Sequence, residues 1–278
     1  MGLLVKRYRE LFCAACIFLS FLANAGNAPK DKAVIILADD SYPPYSFMEN
    51  GQIQGIYVDL VLAAAKSLTP YYQVQVVAVP WKRGLRELNQ GSALALIPPY
   101  KHIEKRPYIW PYSIALLSET VIAYCHRDID ISSYINSSGV KPQRPLNVGI
   151  NAGYQILNRE LTLAKDKGNI VIRENKDTRA NILKLLHRRL DCYLNDRLST
   201  LWELKRLRRE YPEKDYQFNG ISEALLVMTQ TAHIGYTDSK EHKFTYKDEF
   251  VKRMDEALAL LHTSGEYERI LAKYVEGY

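Results

Sequence analysis

The clearest alternation of apolar and polar positions runs from Val34 to Ala65, VIILADDSYPPYSFMENGQIQGIYVDLVLAAA. A β-branched apolar run ends in two acids, Asp39 and Asp40, then enters an aromatic–proline loop and an Asn-Gly turn at Asn50-Gly51. Apolar positions at helical spacing follow, opening at Gly55 with Asp59 in the first turn. The pattern predicts a strand, a loop at its carboxyl end and an amphipathic helix packed back on a sheet. In open α/β sheets small ligands bind outside the carboxyl ends of strands, so this loop is the first candidate binding surface.

The pattern continues as alternating elements. Tyr72 to Val79 reads as a half-buried strand, Trp81 to Gly91 as a short polar helix, and Ala93 to Ile97 as a brief strand halted by Pro98 and Pro99. Glu119 to Cys125 is a further strand, and the Ser/Pro/Gly-containing passage from Asp128 to Pro145 reads as a surface loop. A second unit then starts, with strands at Leu146–Ile150, Ile170–Arg173 and Leu190–Leu194. Helices are predicted at Gly153–Ala164, Asp177–Arg188 and Arg197–Arg209. Such βαβαβα order implies a mostly parallel sheet covered on both faces. In the tail, Phe250, Met254, Ala257, Leu258 and Leu261 share one helical face. Thr263 and Glu266 have capping-box spacing for a last helix striped by Tyr267, Ile270, Leu271 and Tyr274. Two terminal helices need a host sheet, and the first unit has room for them. The expected division is therefore 26–121 for the first lobe, 122–225 for the second, and 226–278 for a return to the first. Strands around Val121–Tyr124 and Leu225–Met228 would form the hinge, and the ligand would lie between the lobes.

Composition changes this picture at the amino terminus. Lys6, Arg7 and Arg9 precede an apolar run from Leu11 to Ala23 that ends in Ala23-Asn24-Ala25, the pattern of a cleaved signal peptide over residues 1–25. The run is short of the roughly 20 apolar residues of a spanning helix. Cys13 and Cys16 fall inside that leader. The 253 residues beyond it suit two lobes, with Cys125 and Cys192 free to bridge in an oxidising compartment or to serve as buried apolar fillers. The formal net charge is +6, and removing the leader takes away Lys6, Arg7, Arg9 and Glu10, leaving a charge too mild to argue for nucleic acid. The densest basic run, Lys205, Arg206, Arg208 and Arg209, sits near a helix carboxyl end, where cations are favoured. The six histidines are scattered without metal-ligand spacing, and no P-loop, HExxH or GxSxG motif occurs, so no cofactor or metal is expected.

Several motifs, none decisive alone, occur in an order and spacing that resemble the bacterial extracellular solute-binding proteins of the polar amino-acid family. They are ADDSYPPYSF with GIYVDL, Trp81 before a short helix, HIEKR followed by IWPYS, VGINAG, RRLDCYLND and the terminal SGEYERILAKY. The resemblance implies a type II periplasmic binding protein fold, two α/β lobes joined by a two-strand hinge. It also implies a periplasmic, monomeric protein that captures a small polar solute for an inner-membrane ABC permease or a sensor. Among site residues it implies Tyr42 over the bound side chain, Asp39 at the first strand's end, Arg106 on the ligand's carboxylate and Asp196 on its ammonium. A guanidinium offers a carboxylate two parallel N–H donors.

Each assignment has a plainer alternative. Arg106 could be an exposed loop charge with Lys105 as the clamp, Asp196 a helix cap, Asp39 and Asp40 turn formers, and Tyr42 packing. Asp59 reads as a helix-start acid, and Tyr57 as a surface replacement for the family's acid. The chain also departs from the family pattern. Pro98, Pro99, Tyr100 and Lys101 stand where small hydroxyl residues are usual, and Tyr154 and Gln155 replace a Ser/Thr pair. Either Tyr100, Lys101 and Tyr154 take over the donor role, or the ligand is not a standard α-amino acid. With 20 tyrosines in the chain, Tyr45, Tyr108 and Tyr112 also stand near the expected cleft. Two other classes remain open: a secreted enzyme on the same scaffold, similar to cyclohexadienyl dehydratase, and a partner-binding protein with an altered cleft. The enzyme would need a buried acid of raised pKa; Glu119 and Glu174 are carboxylates that nothing else marks.

Overall fold

A computed structural model describes residues 32–136, 142–240 and 244–275; the leader and its cysteines lie outside the described residues. The chain opens with β1 (Lys32–Asp39), followed by the short strands β2 (Ser41–Tyr42), β3 (Ser46–Glu49) and β4 (Gln52–Gln54), which form a small antiparallel sheet of their own. Helix α1 (Ile56–Ala65), β5 (Tyr72–Val79), helix α2 (Trp81–Asn89), β6 (Ala95–Ile97) and β7 (Ile109–Tyr112) complete this passage. Next come β8 (Leu117–His126), the short helix α3 (Ile131–Ile135), β9 (Leu146–Asn151), α4 (Arg159–Asp166), β10 (Ile170–Asn175) and α5 (Thr178–Leu186). They are followed by β11 (Cys192–Asp196), α6 (Arg197–Glu210), α7 (Asp215–Asn219) and β12 (Ile221–Ala232). The chain ends with β13 (Gly235–Thr237), α8 (Lys247–Ser264) and α9 (Glu266–Val275).

Two five-stranded sheets organise these elements, in the orders β5-β1-β6-β13-β7 and β10-β9-β11-β8-β12. In the first, β1 runs parallel to β5 and β6, and β13 is antiparallel to β6 and β7. In the second, β9 is parallel to β10 and β11, and β8 is antiparallel to β11 and β12. The chain passes between the sheets through residues 113–116 and 233–234. There the Ile234 N–H donates to Ser113 Oγ at 2.9 Å, and the Leu116 N–H donates to the Ala232 carbonyl at 2.8 Å. The strands read as crossing strands lie inside the second sheet, where Val121 faces Met228 and Ile122 faces Leu226.

Each sheet buries the apolar stripes of its helices. Val34 and Ile36 of β1 share a core with Leu60 of α1, Phe250 and Met254 of α8, and Ile270 and Tyr274 of α9. The second sheet carries one apolar cluster with Val148, Ile150 and Leu161, and another with Ile182, Leu185 and Tyr193. That two-sided burial matches the continuous apolar runs of its strands. Cys125 and Cys192 face each other across β8 and β11 and are disulfide-bonded.

Two helix starts differ from expectation for local reasons. The helix predicted from Gly153 begins only at Arg159, because Asn158, in an extended conformation, caps it by accepting the Leu161 N–H at 2.9 Å. Residues 153–158 are thereby left as a loop at the end of β9. At the last helix Thr263 does not cap; its hydroxyl donates to the Leu260 carbonyl, while Gly265, at φ 74°, breaks α8 from α9.

Candidate functional site

The carboxyl ends of β1, β6 and β9 and the first turn of α2 converge on one cavity between the two sheets. It is lined by Asp39, Tyr42, Trp81, Pro98, Tyr100, His102, Arg106, Tyr154, Gln155 and Ile156. The cavity spans about 340 Å³, including space open to solvent. A neighbouring cavity shares Asp39, Trp81 and Tyr154, with Tyr154 standing between the two.

Arg106 ends a tight turn in which its own N–H donates to the His102 carbonyl at 2.7 Å. The turn carries the side chain inward, and only 3% of the residue is exposed. Its Nη2 donates to the Gly153 carbonyl at 2.8 Å, and its Cζ lies 5.5 Å from the Trp81 ring centre. No carboxylate pairs with it among the described residues. Burial pulls the guanidinium below its ordinary value. Lys105 and Lys101 are exposed, and neither lines the cavity. Gly153 sits at φ 83°, with Trp81 and Lys82 packed where a Cβ would stand, which brings its carbonyl within reach of the guanidinium.

The carboxylates are capped by neutral donors. Asp39 accepts the Ser41 N–H at 3.0 Å and the Tyr154 hydroxyl at 3.1 Å, and burial raises its pKa to about 7. Asp196 is 2% exposed and lies outside the cavity lining. It accepts the Tyr45 hydroxyl at 2.8 Å, the Thr120 N–H at 3.2 Å and the Ser199 N–H at 2.9 Å, the last as cap of α6. Burial raises its pKa as well. Asp39 is thus a turn former that also lines the cavity, whereas Asp196 is a helix cap outside the lining.

Behind the cavity lies a group that the sequence did not mark. Glu119 of β8, 1% exposed, accepts the hydroxyls of Tyr42, Tyr57 and Tyr100, the last at 2.5 Å. Burial lifts its pKa to about 8, with Asp196 adding to the rise and the three tyrosine hydrogen bonds opposing it. Tyr57 is thus no surface replacement: it is fully buried and spans from the first sheet's helix to the second sheet. Tyr45 stacks on Tyr57 at 4.9 Å between ring centres and 14° between planes. Gly55 makes this approach possible: at φ 127° its missing Cβ would stand 2.4 Å from the Tyr45 carbonyl oxygen. Tyr112 accepts the His102 N–H at 3.4 Å, and Tyr108 packs partly buried nearby. Glu174 is exposed at the rim and pairs with Lys82 at 2.5 Å.

Two buried polar atoms of the lining, Trp81 Nε1 and Gln155 Oε1, have no hydrogen-bond partner among the described residues. His102 is kept neutral: burial, then the Arg106 and Lys105 cations, lower its pKa to about 4. Among the described residues no cluster of His, Cys, Asp or Glu could hold a metal ion, and no helix is long and apolar enough to cross a membrane. The chemistry available is recognition of an anion by a guanidinium in an aromatic-walled space.

Comparison with known proteins agrees with this architecture. The family of bacterial extracellular solute-binding proteins, family 3, matches residues 34–277. No curated protein matches the chain. Among solved structures, a histidine kinase sensor domain with similarity to periplasmic binding proteins superposes with a TM-score of 0.67 at 18% identity, over 88% of this chain and 97% of that one. The arginine-, lysine-, histidine-binding protein ArtJ of Geobacillus stearothermophilus gives 0.63 at 18% identity, over 88% and 96%. An ancestral amino acid-binding protein, a precursor of cyclohexadienyl dehydratase, gives 0.64 at 17% identity, over 87% and 94%. At these identities the likeness is one of fold.

Proposed function

We propose that this chain, which belongs to the family 3 bacterial extracellular solute-binding proteins, captures a small carboxylate-bearing polar solute in the cavity between its two sheets. In this reading it works outside the inner membrane after loss of its leader, as a monomer that delivers the solute to an ABC permease or reports it to a sensor. The observation that carries the reading is Arg106, a buried cation lining the cavity with no carboxylate paired to it among the described residues. An uncompensated buried charge costs several kcal/mol, so it persists where a ligand supplies the counter-charge.

The lobes would move about the passages at 113–116 and 233–234. Arg106, Tyr42, Tyr100, Tyr154 and Asp39 would meet the solute, with Lys101 and Asp196 outside the lining. A ligand that binds the closed arrangement better than the open one shifts the population toward closure. The test is a thermal-shift screen against amino acids, other small carboxylates and polyamines. A ligand at a hundred times its dissociation constant adds about 2.7 kcal/mol of stability. Arg106→Ala is expected to abolish the shift from a carboxylate; full retention of affinity would refute the clamp.

A second reading, a dehydrating enzyme on this scaffold, draws on Glu119, a buried carboxyl whose pKa of about 8 suits a proton donor. Two of the tyrosines bound to it, Tyr42 and Tyr100, stand between it and the cavity. Incubation with a prephenate-like acid tests it: absence of product from the native protein ends that reading.

A further inference from the structure

The polar groups of the lining open to a ligand are the donors of one positive group and its neighbour, and neutral acceptors on Gln155 and His102. Resting on the capture reading above, we propose that the solute is an α-hydroxy carboxylic acid with an apolar or aromatic body, and that the site discriminates against the α-ammonium of an amino acid.

The open donors come first. Arg106 has five N–H groups, and the Gly153 carbonyl occupies one nitrogen. The Trp81 indole N–H, whose ring lies under that guanidinium, has no acceptor. Together they form a donor set for two carboxylate oxygens. Aromatic and apolar side chains make up most of the remaining wall, namely Tyr42, Tyr100, Tyr154, Pro98 and Ile156.

An ammonium fares poorly in the same space. It brings three donors and no acceptor, and losing its hydration without three partners is costly. Asp196 is sealed off by the Tyr45 hydroxyl and two backbone N–H groups, and it does not line the cavity. Glu119 is enclosed by three tyrosine hydroxyls. Asp39, the one carboxyl in the lining, is engaged by Tyr154 and the Ser41 N–H. What remains beside it are neutral acceptors, Gln155 Oε1, buried and unpartnered, and the His102 ring. A hydroxyl satisfies either as a donor, and would equally satisfy the Gln155 amide nitrogen as an acceptor if the group were turned over. The substitution of tyrosines for small hydroxyl residues thus gives the site its own preference: the tyrosines fill the acids and leave the guanidinium open.

The experiment is titration calorimetry of the purified protein with three matched L pairs: lactate and alanine, 2-hydroxyisocaproate and leucine, 3-phenyllactate and phenylalanine. Arginine and spermidine serve as cationic probes. At least one hydroxy acid is expected to bind about tenfold or more tighter than its amino twin. Arg106→Gln is expected to weaken it about 100-fold, the scale of a charge-assisted hydrogen bond. If that variant does not fold, as judged by its melting curve, Arg106→Lys keeps the charge without the two-pronged fork and is expected to lose about tenfold. An amino twin binding as tightly as its hydroxy acid overturns the inference and leaves the capture reading standing, as does heat from arginine alone; heat from spermidine alone, which has no carboxylate, overturns both. Heat from none of the eight compounds overturns both.

Discussion

At the scale of single residues, the site depends on acids that keep their protons. Glu119 has a folded pKa of about 8 against an ordinary 4.5, and Asp39 about 7 against 3.8, burial being the main cause of each. A carboxyl raised on folding holds a proton that the unfolded chain releases. Its stabilising contribution is therefore complete below the unfolded value and is lost as pH climbs to the folded one. Melting temperature should fall between about pH 4.5 and pH 8, and Glu119→Gln, which imitates the protonated acid, should flatten much of that slope. A variant with the native slope would show that Glu119 is not the titrating group. The HIEKR motif marks both Arg106 and Lys105, and only the turn that buries the first and exposes the second tells them apart. Glu119 and Tyr57 were not legible. A carboxylate and three tyrosines 19 to 77 positions away carry no mutual signal until two sheets bring them together.

Elements with long, clean periodicity were readable, and among the short ones β6 and β11 were read while β7 and β13 were not. β1, β5, α1, α6 and α8 follow alternation or helical spacing over eight or more residues, and each formed where expected. β7 and β13 have four and three residues, too few to establish a period, and β7 carries a proline, yet they complete the first sheet. The loop 153–158 was misread as helix because Gly153 was taken as a helix start. Its φ of 83° instead turns the chain toward Arg106. Gly153→Ala is expected to destabilise by about 1–2 kcal/mol through that left-handed backbone. Since it also pushes on Lys82 and Trp81, carboxylate affinity should fall with it. Denaturant unfolding and calorimetry measure the two effects, and an unaltered affinity would mean that the Gly153 carbonyl does not position Arg106. The Cys125–Cys192 bond closes a separation of 67 residues within the second sheet. Replacing both cysteines by serine should cost about 4 kcal/mol at the chain-entropy ceiling, detectable as a lowered midpoint in urea.

For the molecule as a whole, a set of side-chain contacts bridges the two sheets. Tyr42, Tyr57 and Tyr100 reach Glu119, Tyr45 reaches Asp196, Tyr154 reaches Asp39, Arg106 reaches Gly153, and Lys82 pairs with Glu174 at the rim. Phe47 and Trp202 add an aromatic contact across the same boundary, 6.1 Å between ring centres. The rim pair is exposed and contributes little, so closure rests on the buried tyrosine–carboxyl network. The three hydroxyls favour the carboxylate, but burial and the neighbouring Asp196 outweigh them and hold the proton on Glu119 up to about pH 8. Ionising it inside a dry interface is costly, whereas opening the cleft returns the carboxylate to water. The tyrosines keep their protons well past that point, since burial raises the pKa values of Tyr42, Tyr45, Tyr57 and Tyr100 above 10. X-ray scattering should therefore report a compact particle, with a radius of gyration near 18 Å for a closed chain of this size, at pH 6. At pH 9.5 it should report a measurably larger one, with the change abolished in Glu119→Gln. If the proposed capture holds, a carboxylate ligand works against this opening, because Arg106 would gain its counter-ion only when both lobes enclose the solute. Adding the tightest-binding acid from the calorimetry should return the particle at pH 9.5 to its pH 6 dimensions. A radius that ignores both pH and ligand would show that the two sheets form one rigid body, and capture by closure would have to be abandoned.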